Sequence, residues 1–268
     1  MNPAPTSHHA LPPRRLTLRT LLRTLIILPW IFSYLCIYVF LLGPYLWIAG
    51  HTFDKQRCIA RRYARGIFQH FLHHCCGHRL IVDPFPFDQL GGPCIMVANH
   101  QSMLDIVMIM QLPIDARCWA KKWPFRTPLL GILLRLCGHL HVEDFNVLPD
   151  ARDCLEFGTS LYVFPEGTRS RTGRISRFRD GAFLLAMKTG RPIIPIAIHG
   201  SFECFPPGQL WVWTRHLRVE PLGVLWPDQS DPKGHIHLRR ESRRMIAHAL
   251  NQDKVSRPDS DSIDTAAA

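Results

Sequence analysis

Between Thr24 and Ala49 the chain carries no charged residue, and this run restricts the possible folds more than any other feature. As a helix rising about 1.5 Å per residue, it is long enough to cross a hydrocarbon core of about 30 Å. A secretory signal fits less well, because the apolar run is too long and no Ala-x-Ala cleavage pattern follows. Basic residues flank both ends, Arg14, Arg15, Arg19 and Arg23 before it and Lys55, Arg57, Arg61, Arg62 and Arg65 after it, so loop charge gives no crossing direction. With Pro29 and Gly43-Pro44 interrupting the run, the sequence suits a helix that dips into one leaflet with both ends cytoplasmic; one full span is the alternative. Residues 53–75 read as a second helix. Ile59, Tyr63, Ile67, Phe71 and Cys75 form its apolar stripe, flanked by Ala60, Ala64, Phe68 and Leu72, with arginines opposite, a pattern suited to lying along lipid headgroups.

Beyond residue 78 the pattern changes. Strand-like runs near 79–82, 94–98, 116–120, 139–143, 160–164 and 193–198 alternate with helical stretches near 102–112, 127–137, 147–157 and 180–189. Such alternation predicts an α/β fold, a mixed sheet covered by helices, joined to the N-terminal two-helix membrane-associated element. Residues 211–225 add late strands and 239–251 a last helix. The expected organisation is a disordered Pro-rich N-terminus (1–13), membrane-associated helices (14–77), a catalytic domain (78–251) and a disordered polar tail (252–268).

Two turns within that domain carry candidate chemistry. The spacing His-x-x-x-x-Asp occurs four times, at His78/Asp83, His100/Asp105, His139/Asp144 and His248/Asp253, so spacing alone selects nothing. His78 and His139 sit in strand-like alternation, where the two side chains are held apart, and His248 lies where a helical pattern gives way to a polar tail. His100 instead follows a buried strand, Pro93 to Ala98, and precedes a helix for which Ser102 is a plausible N-cap. Asp105 then falls in the first helical turn, where the helix dipole favours a carboxylate that can fold back toward the imidazole. The second turn, Phe164-Pro165-Glu166-Gly167-Thr168-Arg169-Ser170, ends a strand. Gly167 lets backbone approach a ligand, Thr168 offers a hydroxyl, and Arg169 can grip a phosphate through paired N–H donors. Arg171, Arg174, Arg177 and Arg179 follow it.

These blocks resemble the glycerolipid acyltransferase family, in particular its lysophosphatidic acid acyltransferases, over about residues 75–200. Asn99-His100-Gln101-Ser102 through Asp105 is similar to the family's catalytic motif, and Phe164 to Ser170 to its acceptor-binding motif. Phe178-Arg179-Asp180-Gly181-Ala182-Phe183 and Ile194-Pro195-Ile196 resemble its later elements, while Lys121-Lys122, Pro128 and Gly131 fall where the family places a lysine-containing strand and a Pro-x-x-Gly turn. The resemblance implies His100 as general base and Asp105 as its orienter. It implies Glu166, Gly167, Thr168, Arg169, Lys121, Lys122 and Arg179 as the acceptor site. The implied reaction moves a fatty acyl group from acyl-CoA or acyl carrier protein to the free hydroxyl of 1-acyl-glycerol-3-phosphate, with no cofactor or metal, at a membrane and on the cytoplasmic side. One position departs: the family's second motif ends in an acidic residue followed by Arg, whereas this chain reads Val142-Glu143-Asp144-Phe145. A carboxylate facing a phosphate would repel it. The departure keeps two alternatives open, a zwitterionic acceptor such as a lyso-ornithine lipid, and an inactive lipid-binding relative.

The formal charge of +11 suits nucleic acid, anionic lipid or acidic partners equally. The long apolar run and the lack of zinc-finger or RNA-binding signatures select membrane lipids and phosphorylated substrates over nucleic acid. Nine cysteines without a C-x-x-C pair read as reduced thiols in a cytosol-facing protein. The patch of His70, His73, His74 and His78 with Cys75 and Cys76 does not match the spacing of a closed zinc site. No G-x-S-x-G elbow occurs, which disfavours a serine hydrolase.

Overall fold

A computed structural model describes residues 17–76, 80–141, 147–209, 212–213 and 216–252. The readings made above for residues 1–13, His78, Glu143, Asp144 and 253–268 fall outside the described residues.

The uncharged run is helical throughout. α1 (Leu18–Ile37) passes through a π-helical turn (Tyr38–Leu42) into α2 (Gly43–Thr52). Pro29 does not break α1, and Pro44 sits at the start of α2, where a missing N–H costs least. Thr24–Thr52 forms one stretch long and apolar enough to cross a membrane. Leu25, Ile26, Phe32, Phe40, Leu41, Tyr45, Trp47 and Ile48 face outward along it, an apolar surface of the kind that marks a membrane or partner contact.

The second helix, α3 (Cys58–Cys76), differs from the expected stripe. Its buried line is Ala60, Ala64, Phe71 and Leu72, whereas Tyr63 is exposed. Small alanines win because the helix backbone packs closely against its neighbours, in a cluster with Tyr38, Val39, Leu46, Leu133, Leu136 and Cys137. Arg61, expected on the polar face, is buried. Its guanidinium donates to both carboxylate oxygens of Asp115, and to the carbonyls of Gln56 (2.6 Å) and Cys137 (3.1 Å). These bonds fix α3 to the α/β sheet domain and hold the Asp115 carboxyl below its usual range against the opposing effect of burial. Arg61→Ala is therefore expected to lower stability by about 2 kcal/mol, because it takes the guanidinium from Asp115, which keeps only the Cys58 thiol as a side-chain hydrogen-bond donor, and from the Cys137 carbonyl. A thermal melt in detergent reads this as a fall of several degrees; an unchanged melting temperature would show the clamp to be idle.

The remaining elements alternate: β1 (Leu80–Val82), β2 (Ile95–Ala98), α4 (Leu104–Ile109), β3 (Ala116–Ala120), α5 (Trp123–Arg126), α6 (Leu130–Leu136), β4 (Leu140–His141) and α7 (Val147–Glu156). β5 (Ser160–Val163), α8 (Gly181–Thr189), β6 (Ile193–His199), α9 (Ser201–Cys204), β7 (Leu217–Pro221) and α10 (Gly234–Ala249) complete the order. The strands form one sheet in the order β1-β7-β6-β2-β5-β3-β4. Every pairing is parallel except β6 with β7, so the sheet is mixed, as the alternation predicts. β2 and β5 are buried along their whole length, as strands covered on both faces must be. On one face Met96, Tyr162, Ile194 and Ile196 pack with Phe71, Leu72, Leu104 and Met108 of α3 and α4. On the other, Ile95, Val97, Leu161 and Val163 pack with side chains of α7, α8 and α10. The membrane-type helices therefore lie on one side of the sheet and α10 on the other.

Candidate active site

The site forms where β2 and β5, neighbours at the centre of the sheet, end side by side. Asn99 caps β2: its side-chain amide donates to the Ile198 carbonyl (3.0 Å) and its Oδ1 accepts the Ile198 N–H (2.8 Å). This stitches the strand end to β6 and fixes where the next residue, His100, emerges. Asn99 stands at the head of the His100 motif with no role assigned to it by the motif. The available signal was a polar residue directly following a wholly apolar strand.

The His100 imidazole approaches Asp105 with Nδ1 2.9 Å from Oδ2. Asp105 is fully buried, and the same oxygen accepts the backbone N–H groups of Gln101 (2.6 Å) and Ser102 (2.7 Å). A carboxylate can only accept here, so Nδ1 carries the proton and Nε2 is left as the basic nitrogen. The local helix differs from the expectation. It begins at Leu104, later than expected, after a turn that Asp105 closes by reaching back; Ser102 still supplies a cap-type contact, its Oγ accepting the Leu104 N–H (3.2 Å) while its hydroxyl donates to the Phe205 carbonyl (2.6 Å). The imidazole also stacks on Phe164, with ring centroids 4.2 Å apart and planes 20° from parallel. That contact holds the ring by a face, while Asp105 holds it by the Nδ1 edge.

Glu166 lies beneath the two turns. Its carboxylate is buried and accepts the His100 backbone N–H (2.9 Å), the Ser176 N–H (2.9 Å) and the Ser176 hydroxyl. Burial raises its pKa, while the Ser176 and His100 donors act against that rise. Glu166 therefore joins the two motifs by their backbones; the structure does not bring it to the cavity wall. Ser170 N–H donates to the His100 carbonyl (2.8 Å), closing the same junction.

A cavity of about 700 Å³ opens beside His100. His100, Lys121, Gly167, Thr168, Arg169 and Arg179 line its polar end. Lys122 is exposed and not part of this lining. Gly167 has φ +69°, and a Cβ there would stand 2.9 Å from Arg179 Nε, so a glycine allows the guanidinium to lie across the turn. Away from these cations the wall is apolar and includes Trp30, Tyr34 and Tyr38 of the N-terminal helices with Phe68, Met110 and Leu133. The arrangement places the His100 imidazole between a cationic end and an apolar space of a single cavity.

The other histidine of strand-like context is spent on the fold. His139 is buried and its Nδ1 accepts the Cys118 N–H (2.9 Å). Burial, aided by Arg61 and Arg117, pushes its pKa down to about 3, so it stays neutral. Cys94, Cys118 and Cys137 are buried thiols pushed up to about 11, 12 and 12 by burial, far from thiolate chemistry at neutral pH.

Residues 78–199 match the family model described as Acyltransferase. The chain carries an acyltransferase-family domain over these residues. It is 32% identical over 222 residues to the "1-acyl-sn-glycerol-3-phosphate acyltransferase BAT2, chloroplastic" of Brassica napus, covering 77% of this chain and 62% of the relative. It is 29% identical to a 1-acyl-sn-glycerol-3-phosphate acyltransferase of Helicobacter pylori, covering 60% of this chain and 72% of that protein. Several other acyltransferase relatives are longer, and the chain spans 34% of the chloroplastic LPAT1 of Arabidopsis thaliana. The acyltransferase fold extends to the crystal structure of the 1-acyl-sn-glycerophosphate (LPA) acyltransferase PlsC from Thermotoga maritima, with TM-score 0.70 at 20% identity over 86% of this chain and 98% of that one.

Proposed function

We propose that this protein transfers a fatty acyl group from a thioester donor, acyl-CoA or acyl carrier protein, to the free hydroxyl of 1-acyl-glycerol-3-phosphate, giving phosphatidic acid. The observation that carries the proposal is the His100–Asp105 pair at the junction between a cationic mouth and an apolar cavity. A lysophosphatidate has the matching parts: a phosphate for Arg169, Arg179 and Lys121, a hydroxyl for His100 Nε2, and a chain for the apolar wall. The names of the relatives support the same acceptor.

In the proposed step, Nε2 takes the hydroxyl proton as the oxygen attacks the thioester carbonyl. A C–O bond forms, the C–S bond breaks, and the proton passes from the imidazolium to the leaving thiolate. Asp105 steadies the transient positive charge. No acyl-enzyme is required. The N-terminal helices hold the site at the bilayer, with the catalytic face on the cytoplasmic side.

The direct test is release of free thiol by the purified protein in mixed micelles, given lysophosphatidate and an acyl-CoA or acyl carrier protein. A panel containing a lyso-ornithine lipid distinguishes the acceptor head group, and absence of thiol release with all of them removes the proposal. Arg169→Ala is expected to raise KM for lysophosphatidate about 10- to 100-fold with a smaller change in kcat, the scale of a lost charge-assisted phosphate contact. Lys122→Ala, outside the cavity lining, is the comparison and should change KM less than twofold.

A further inference from the structure

The arginine-bearing loop after β5 is held from a place in the chain that none of the motifs reaches. Sequence reasoning puts Gln252 at the start of a polar tail, and the family match ends at residue 199. In the structure Gln252 closes the end of α10, its N–H donating to the Ala247 carbonyl (2.8 Å). Its side chain then turns onto the loop with both ends of the amide engaged. Oε1 accepts the Ile175 N–H (2.9 Å), and Nε2 donates to the Gly173 carbonyl (2.9 Å).

The Gly173 carbonyl has a second donor, the side-chain amide of Gln101 (2.7 Å), the residue next to His100. One backbone oxygen thus joins the end of α10, the middle of the arginine loop and the turn that carries the imidazole. Nearby, Arg243 of α10 donates to the Ser176 carbonyl (3.3 Å), on the same loop. Gly173 itself has φ +74°, and a Cβ there would meet the Phe202 ring at 2.9 Å, so the loop is pressed into a defined path on its other side. Between β5 and this attachment lie Gly167, Thr168 and Arg169, all of which line the cavity.

We infer that Gln252 is a positioning residue for the acceptor site: by clasping Gly173 and Ile175 it sets the path of the loop that presents Arg169. The inference rests on the reading of that loop as the phosphate-binding mouth. A side-chain amide suits the task because it satisfies one donor and one acceptor at once, which neither a carboxylate nor an ammonium can do. Gln252 touches no part of the cavity, so its effect reaches substrate only through the loop.

The test uses the full chain with Gln252→Ala and Gln252→Glu. The glutamate keeps an acceptor for the Ile175 N–H but sets a second oxygen against the Gly173 carbonyl. Both variants are expected to raise KM for lysophosphatidate roughly tenfold with kcat within about twofold of wild type, the scale of two lost neutral hydrogen bonds. Hydrogen exchange in peptides spanning 168–178 should quicken, and the melting temperature should fall by no more than a few degrees, the scale of two part-buried hydrogen bonds. Unchanged KM, wild-type exchange in that peptide, or a fall in kcat that tracks the melting temperature overturns the inference. Should wild type transfer no acyl group to any lysolipid, the functional reading fails, and the exchange comparison still decides whether Gln252 holds the loop.

Discussion

Replacing His100 with alanine is expected to lower kcat by about 10³ to 10⁴ while leaving KM for both substrates within a few-fold, since the imidazole contributes proton transfer and little binding. The fold should persist. Asp105 keeps its two backbone donors at Gln101 and Ser102, and Glu166 still accepts the N–H at position 100. Circular dichroism and the melting temperature should therefore match wild type, which separates lost chemistry from lost structure. Thiol release within tenfold of wild type in a purified, folded His100→Ala protein would exclude general-base action by this residue.

Asp105→Asn is the second large effect, expected at about 10² to 10⁴ in kcat. The buried Oδ2 accepts three donors, from His100, Gln101 and Ser102. An amide oxygen in its place can still receive them but carries no charge to steady an imidazolium, and an amide turned the other way sets N–H against N–H. Either orientation loosens control of which ring nitrogen holds the proton. KM should move little, because Asp105 lies behind the imidazole and not on the cavity wall. Single-turnover thiol release measured beside wild type checks the assignment, since it reads the chemical step apart from binding and product release. A folded variant with wild-type kcat would remove Asp105 from the reaction.

The sheet was legible because its strands are short apolar runs bounded by turns, and β2, β3, β5 and β6 lie within a residue or two of the positions predicted. The His100 turn was legible for a related reason: a polar residue that follows a buried strand and precedes a helix has few places to go. Other features depend on partners distant in the chain. Arg61 reads as one of several arginines on a polar face, and only the approach of Asp115 makes it buried. Glu166 reads as part of a ligand-binding turn; that it holds the His100 backbone depends on how closely β2 and β5 end together. The capping contact of Ser102 was legible, its Oγ accepting the Leu104 N–H, but nothing local shows that the deeper Asp105 carboxylate claims the amides of Gln101 and Ser102 and delays the helix to Leu104. Gln252 gives no local signal at all, since its partners lie some eighty residues upstream.

Trp30, Tyr34 and Tyr38 belong to the apolar N-terminal helix and also to the wall of the cavity beside His100. Under the proposed function, the helix that meets the lipid is then also part of the reaction vessel. Cutting it away to obtain a water-soluble fragment would breach the chamber as well as free the protein, and amphiphiles used for extraction would compete for the same greasy lining. For this molecule the choice of bilayer or detergent belongs among the determinants of turnover, alongside substrate concentration.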